Sequence, residues 1–250
     1  MNTVFLTDTG KVREHNEDAG GVFVNKTGDY LAVVADGMGG HQAGDVASQM
    51  TTDMLRESFE GLNETLTPDK AGKWLERAFQ EINEKVFEQA GKNRHLQGMG
   101  TTLVAVVCTR SFIVITHVGD SRAYLWTDQE LQLKTEDHSL VNELKKSGQL
   151  TAQEADNHPQ KNILTRALGT EVSLKSEQTV LEWKKGDAVV LCSDGLTNKV
   201  TDNEIEQTLS QQSSLREQAE HLVHMAKDRG GEDNITLAVV ENIPLEEGLM

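Results

Sequence analysis

The sequence predicts an α+β fold in which two mainly antiparallel sheets pack face to face, with helix pairs on the outside. Three observations carry that expectation. Short stretches rich in β-branched residues recur along the chain, joined by short polar turns. Several of these stretches are continuously apolar and so need cover on both faces. Amphipathic stretches with clear helix-start signals stand apart from the strand runs.

In chain order, strands are expected at 21–25, 30–35, 102–109, 111–118, 122–127, 130–134, 187–193 and 234–240. Lys26-Thr27-Gly28-Asp29, Thr109-Arg110-Ser111 and Thr127-Asp128-Gln129 read as hairpin turns between consecutive strands. A helix is expected from about Ala43 to Phe59, with Val46, Met50 and Met54 stacked. Thr67-Pro68 reads as an N-cap followed by proline at the first helical position. Ala71, Trp74, Leu75, Ala78, Phe79, Ile82 and Val86 then form one apolar stripe. Thr201-x-x-Glu204 and Ser214-x-x-Glu217 match the capping box. The second opens a helix carrying Leu215, Ala219, Leu222, Val223 and Ala226, stopped by Gly230-Gly231. Residues 138–165 are polar and hold two short helical pieces. The expected organisation is a single domain over residues 1–241, followed by an acidic tail at 242–250.

The 250 residues carry 24 Lys+Arg against 40 Asp+Glu, a formal net charge of −16. That balance excludes a general nucleic-acid binder and a binder of anionic membranes, both of which need a basic face. Two cysteines, Cys108 and Cys192, lie inside apolar runs. They form neither a disulfide framework nor a zinc-ligand set and fit a reducing compartment. The N-terminus has no basic start and no long apolar stretch, so a signal peptide is not expected. Apolar runs fall short of the ~18 residues of a membrane span, and a cytoplasmic location is expected.

The informative feature is where carboxylates fall relative to strands. Val33-Val34-Ala35 runs into Asp36-Gly37, Val189 to Ser193 runs into Asp194-Gly195, and Thr116-His117-Val118 runs into Gly119-Asp120. Asp18, by contrast, precedes its strand, and so does Asp233. If 21–25 and 30–35 form an antiparallel hairpin, Asp18, with Glu17, approaches Asp36. If 187–193 pairs antiparallel with 234–240, Asp233 lies beside Asp194. Five acidic side chains would then collect at one edge of the sheets. Like charges so crowded raise one another's pKa and destabilise the fold unless a cation neutralises them. All-oxygen ligands select hard cations such as Mg²⁺ or Mn²⁺ over zinc. Gly37 and Gly195 allow tight turns and close backbone approach at such a site.

These segments stand in a recognisable order. Arg13-Glu14-His15-Asn16-Glu17-Asp18, Ala35-Asp36-Gly37-Met38-Gly39-Gly40-His41 and Gly98-Met99-Gly100-Thr101-Thr102 come first. Val118-Gly119-Asp120-Ser121-Arg122, Cys192-Ser193-Asp194-Gly195-Leu196 and Gly231-Glu232-Asp233-Asn234-Ile235-Thr236 follow. As a set spanning nearly the whole chain, they resemble the metal-dependent type 2C Ser/Thr protein phosphatases, above all the small bacterial stand-alone members. The resemblance implies a four-layer α-β-β-α sandwich. It also implies hydrolysis of phosphoserine and phosphothreonine monoesters at a binuclear Mn²⁺ or Mg²⁺ centre, by a metal-bridging hydroxide and without a covalent intermediate. By the same resemblance Asp36 would bridge both ions, the Gly37 carbonyl would bind one, and Asp194 and Asp233 the other. Glu17 and Asp18 would act directly or through water. Asp120, with Asp194, would hold a third, weaker ion. Arg13 would grip the substrate phosphate through its planar fork.

Where several eukaryotic relatives carry a histidine directly after this Asp-Gly pair, here stands Met38, with His41 three residues on. Whether His41 donates the leaving-group proton, a metal-bound water does so, or His41 only guides substrate is left open by the sequence. The position of 138–165 matches the family's flap beside the active site. Expected partners are phosphorylated proteins and a bacterial-type Ser/Thr kinase whose phosphates the chain removes; a monomer is expected. The residues alone leave open a metal phosphoesterase acting on nucleotides or small phosphometabolites. A non-enzymatic acidic binding protein is disfavoured, since no EF-hand loop occurs. Outside the acidic set, His117 reads as a satisfied core or edge histidine, Arg122 as half of a structural ion pair, and Asp137-His138 as a cap for a helix starting near Ser139. Asn234 serves either to orient a ligand or to make a turn.

Overall fold

A computed structural model describes residues 1–40, 43–156 and 158–243. His41 and most of the acidic tail (residues 244–250) lie outside the described residues. The strands are β1 (Asn2–Asp8), β2 (Asp18–Val24), β3 (Tyr30–Met38), β4 (Gly100–Thr101), β5 (Leu103–Cys108), β6 (Phe112–Val118), β7 (Arg122–Thr127), β8 (Glu130–Leu133), β9 (Glu177–Glu182), β10 (Ala188–Cys192) and β11 (Ile235–Glu241). The helices are α1 (Ala43–Glu60), α2 (Pro68–Lys92), α3 (Leu140–Lys146), α4 (Ala152–Asp156), α5 (Asp194–Thr197), α6 (Asp202–Leu209) and α7 (Leu215–Asp228). One sheet has the order β1-β11-β10-β7-β8, and the other has β2-β3-β5-β6-β9 with β4 paired to β3. Every pairing is antiparallel.

The continuous apolar strands explain the layering. Successive side chains of a strand point to opposite faces. On β3, Leu31, Val33 and Ala35 pack with residues of α1 and α2 such as Leu55, Phe59, Leu75 and Phe79. The alternate residues Ala32 and Val34 face the other sheet and meet Val189, Leu191, Ala238 and Val240. Val190, Cys192, Leu237 and Val239 face outward onto α6 and α7, against Ile205, Leu222 and Ala226. The result is α1/α2, sheet, sheet, α6/α7, an α+β sandwich of two antiparallel sheets with helices on each outer face.

Local signals operate as read. Thr67 caps α2 by accepting the Lys70 N–H, with Pro68 at the start of the helix. Both capping boxes are complete, Thr201 with Glu204 and Ser214 with Glu217. Asp128 and Gln129 take positive φ values of 53° and 66°, which match the twist of a two-residue hairpin between β7 and β8. The two helical pieces expected within 138–165 are α3 and α4.

Three readings are corrected. β1 and β9 carried no strand expectation. Each is the outer strand of its sheet; β9 alternates exposed with half-buried residues, and β1 offers only the three-residue apolar run Val4-Phe5-Leu6. On α1, the stacked Val46, Met50 and Met54 flank the core: Val46 is exposed, while Met50 and Met54 are half-buried and pack against the core cluster. The inner face is Ala43, Gly44, Ala47, Ser48, Thr51, Leu55 and Phe59, small residues over its first turns that let the helix sit close on β2 and β3. The cap of α3 is Ser139, which accepts the Asn142 N–H, and not the Asp137-His138 pair. Asp137 is occupied by Arg122, whose Nε and Nη2 donate to its two oxygens at 2.9 and 2.7 Å, the ion pair expected for Arg122.

Candidate active site

The β2–β3 register places Asp18 directly opposite Asp36. In the β1-β11-β10-β7-β8 sheet Cys192 pairs with Leu237, so the chain leaving β10 at Asp194 passes the chain entering β11 from Asp233. Asp120 follows β6, which lies two strands from β3 in the other sheet. Glu17 precedes β2, and its carbonyl accepts the Gly37 N–H at 3.0 Å. Face-to-face stacking of the sheets brings these ends together. A cavity of about 490 Å³ is lined by Arg13, Glu17, Asp36, Gly37, Asp120, Asp194 and Asp233, together with Met38, Gly39, Thr102 and the flap residues Asn162, Ile163 and Leu164. Asp18 lies behind this lining, buried beside Asp36. Every predicted acidic residue is therefore at one place, and His41 lies outside the described residues.

Two glycines are required by close approach. A Cβ on Gly37 would overlap the Gly44 and Glu17 carbonyls, and one on Gly195 would overlap the Asn234 carbonyl. Neither has a positive φ, so the constraint is space and not backbone conformation.

Burial first, and mutual repulsion second, raise the proton affinity of the cluster. Asp36 is pushed well up by burial and then by Asp18, Asp194, Asp120 and Asp233. Asp18 is pushed up to about 7 by burial, against hydrogen bonds from Thr236 and Ser193 that favour its charged form. Asp120 is raised to about 8 by burial and then by Asp194 and Asp137. Burial and then Asp233 raise Asp194, and burial raises Glu17 against the opposing charge of Arg13. A fold that gathers this much unfavourable charge is built for a counter-charge. Asp18 Oδ1 and Asp194 Oδ1 are buried with no hydrogen-bond partner among the described residues. Orphaned carboxylate oxygens in an all-oxygen set suit hard divalent cations, so the residues present fit Mn²⁺ or Mg²⁺.

The support around the acids was only partly visible in the sequence. The Ser193 hydroxyl donates to Asp18 Oδ2 at 2.7 Å and itself accepts the Thr236 N–H at 3.0 Å. Thr102 Oγ1 accepts the Asp36 N–H at 3.0 Å and lies 2.7 Å from Ser121 Oγ, linking the Asp36 and Asp120 segments. Asn234 settles between its two readings by orienting: its Oδ1 accepts the Glu17 N–H at 2.7 Å, and its Nδ2 donates to the Thr9 and His15 carbonyls, both at 3.0 Å. It thereby clamps the whole loop that carries Arg13 and Glu17. Asn198 Nδ2 donates to Asp194 Oδ2 at 2.9 Å, which leaves Oδ1 for a cation. The Asp194/Asn198 spacing of four residues on a helical turn was the signal for that contact.

Arg13 spans the rim. Its Nη2 donates to Asp233 Oδ2 at 3.0 Å and its Nη1 lies 3.9 Å from Glu17, with the side chain 48 % exposed. A half-exposed guanidinium over an acidic cavity can meet a phosphate from solution. Arg13→Ala is expected to lower kcat/KM on a phosphate monoester about a hundredfold while Mn²⁺ binding is retained. Arg13→Lys should restore only part of this, since an ammonium lacks the planar fork. Steady-state kinetics beside a Mn²⁺ titration check this; wild-type kcat/KM in the alanine variant would remove Arg13 from phosphate binding.

The sequence pattern of the protein phosphatase 2C family matches residues 10–235. The chain is 45 % identical over 248 residues to the serine/threonine phosphatase stp of Listeria welshimeri, covering 99 % of this chain and 98 % of that one. The structure of serine/threonine phosphatase Stp1 from Staphylococcus aureus superposes with a TM-score of 0.91 at 39 % identity, covering 96 % of this chain and 94 % of that one. The catalytic domain of the serine/threonine protein phosphatase PstP, solved in complex with two manganese ions, superposes with a TM-score of 0.83 at 33 % identity, covering 96 % and 97 % of the two chains.

Proposed function

Because this chain belongs to the protein phosphatase 2C family and is a serine/threonine protein phosphatase, we propose that its acidic cavity holds a pair of Mn²⁺ or Mg²⁺ ions and removes phosphate directly to water, opposing a Ser/Thr kinase. The observation that carries the reading is the convergence of Asp36, Asp194 and Asp233 from three distant segments on one cavity, with Arg13 at its rim. Asp36, the Gly37 carbonyl, Asp194 and Asp233 would hold the pair, Glu17 and Asp18 would support it, and Asp120 with Asp194 would hold a further, weaker ion. When bound, such ions supply Lewis acidity and an activated water near neutral pH.

The chain's own groups do the rest. Arg13 draws the phosphoryl group to the mouth of the cavity and meets charge developing on its oxygens. Buried Asp18 and half-buried Asp36 keep the floor anionic once cations are present. Ile163 and Leu164 of the flap line one side of the cavity. Attack by water leaves no phosphorylated residue behind. Among the described residues, no helix is long and apolar enough to cross a membrane.

The test is hydrolysis of p-nitrophenyl phosphate and of a phosphothreonine peptide, each with Mn²⁺ and with chelator. Both activities are expected with Mn²⁺ and neither with chelator. Activity that survives complete metal removal would reject the reading, and activity on nucleotides with none on the peptide would move the substrate to small metabolites. Opposition to a kinase is checked by dephosphorylation of kinase-treated protein extracts.

The flap (138–165) presents α3 and α4 beside a second cavity of about 460 Å³ that shares Asp120 and Asp194 with the first. Shortening the flap between α3 and α4 should reduce activity on phosphoproteins while sparing p-nitrophenyl phosphate. Equal loss on both substrates would show that the segment supports the metal centre and not substrate choice.

A further inference from the structure

His138 engages both polar backbone groups of Gly119, the residue before Asp120. Its N–H donates to the Gly119 carbonyl at 2.9 Å. Its ring Nδ1 lies 3.1 Å from the Gly119 nitrogen, which can only donate. Nδ1 is therefore the acceptor, and the neutral ring carries its proton on Nε2. That nitrogen faces Glu177 Oε1 at 3.1 Å. Arg166 Nη1 donates to the same oxygen at 3.1 Å, so two donors converge on one carboxylate. The His117 ring stacks on His138 at 4.8 Å and 15°, with its Nε2 2.9 Å from the Glu136 carbonyl.

His117, His138 and Glu177 have ligand atoms within 4.8 Å of one another, the spacing of a small metal site. The Arg166 guanidinium, 3.1 Å from Glu177 and 3.3 Å from His138 Nε2, already supplies the cation there. His138, Glu177 and Arg166 are thus a polar network with His117 stacked on it, and its outlet is Gly119. Gly119 has φ +102°, and a Cβ on it would lie 2.6 Å from the Thr102 side chain, so the turn into Asp120 is tightly specified. The Thr165 N–H donates to the His138 carbonyl at 2.8 Å, which brings the far root of the flap to the same point.

We infer that His138 is a positioning residue for Asp120: held as the Nε2–H tautomer by Glu177 beside Arg166, it grips the Gly119 N–H through Nδ1 and so aims the Asp120 carboxylate into the cavity shared with Asp194. The inference rests on the reading of Asp120 as a divalent-cation ligand. Groups that orient metal ligands change metal affinity by about 10–100-fold when removed.

The experiment is a Mn²⁺ titration of the full chain, with free Mn²⁺ read by electron paramagnetic resonance, so no turnover is needed. Asp120→Asn sets the reference by removing the weakest-bound Mn²⁺. His138→Leu, which deletes the acceptor, is expected to weaken that same ion about tenfold and leave the tighter ions unchanged. His138→Asn, whose amide oxygen stands near the place of Nδ1, should restore most of the affinity although it also loses the ring stack and the Glu177 contact. A His138→Asn protein as weak as His138→Leu, or a His138→Leu protein with wild-type binding, overturns the inference. If His138→Leu does not fold, Glu177→Ala, which releases the tautomer, must weaken the same ion; unchanged binding then overturns it. Full Mn²⁺ binding by Asp120→Asn removes the ligand role of Asp120 and the inference with it.

Discussion

Asp36→Asn is expected to lower turnover at least about a thousandfold with Mn²⁺ in excess, and at the same time to raise the melting temperature of the metal-free protein. The two effects have opposite signs because one charge causes both. Asp36 lines the cavity half-buried, and Asp18, Asp194, Asp120 and Asp233 are the charges that repel it. Without cations its carboxylate is partly desolvated and repelled by like charges, so a neutral group of the same shape is expected to stabilise by about 1–2 kcal/mol. The strand does not depend on that carboxylate. Its backbone is held by Thr102 Oγ1, which accepts the Asp36 N–H at 3.0 Å, and by Thr101 Oγ1 and the Thr102 N–H, which donate to the Asp36 carbonyl at 2.9 and 2.8 Å. At roughly 2–4 °C per kcal/mol for a chain of this size, a gain of several degrees in chelator is expected. Thermal melting in chelator, with phosphatase assays in Mn²⁺, decides it. A fall in the metal-free melting temperature would make Asp36 a structural acid, and retained turnover would remove it from the centre.

Such a prediction was within reach of the sequence because antiparallel pairing is a strong geometric constraint. Placing Asp18 beside Asp36 needed only a hairpin between two apolar runs, and the register delivers that pair directly. Pairing the strand ending before Asp194 with the one starting after Asp233 was an assumption, and β10–β11 meets it. What escaped lies where no apolar pattern exists. β1 and β9 are edge strands with mixed faces. Over its first turns the inner face of α1 is built from alanine, glycine, serine and threonine, so apolar spacing gave little signal there. The positioning groups were the least legible. Glu177 and Arg166 reach His138 from beyond the flap, and Thr7 of the unforeseen β1 lies 2.7 Å from the hydroxyl of Thr236, whose N–H donates to the Ser193 hydroxyl that bonds Asp18. Contacts of this kind depend on the packing of several layers and leave no periodicity in the chain.

The acidic cluster also sets the pH dependence, and here the sign is opposite to that of an ordinary carboxylate. An unfolded aspartate titrates near 3.8, whereas Asp18 is raised to about 7 and Asp120 to about 8, each chiefly by burial. Between those values the folded metal-free protein binds more protons than the unfolded chain, so its stability falls as pH rises. Groups that act the other way are confined to lower pH. Arg229 and the cap at Thr201 hold Glu204 down to about 2, so its contribution disappears only in acid. Burial lowers His138 below 6.5, so its opposing contribution, which grows as the unfolded imidazole loses its proton, is nearly complete by pH 7.5. Across pH 6.5 to 8.5 the cluster therefore dominates, with His138 contributing only at the lower end and the buried Cys108 and Cys192 thiols only at the upper end. Titration of Asp18 and Asp120 across it corresponds to about 2–3 kcal/mol, or roughly 5–10 °C of melting temperature in chelator. Mn²⁺ competes with the same protons. Its stabilisation should consequently grow across the scan, and the gap between Mn²⁺ and chelator should be widest at pH 8.5. Calorimetric melting at pH 6.5, 7.5 and 8.5 in both conditions makes the comparison. A chelated melting temperature that holds level or climbs would mean that the buried carboxyls ionise without penalty, and the electrostatic case for a cation-filled cavity would fail with it.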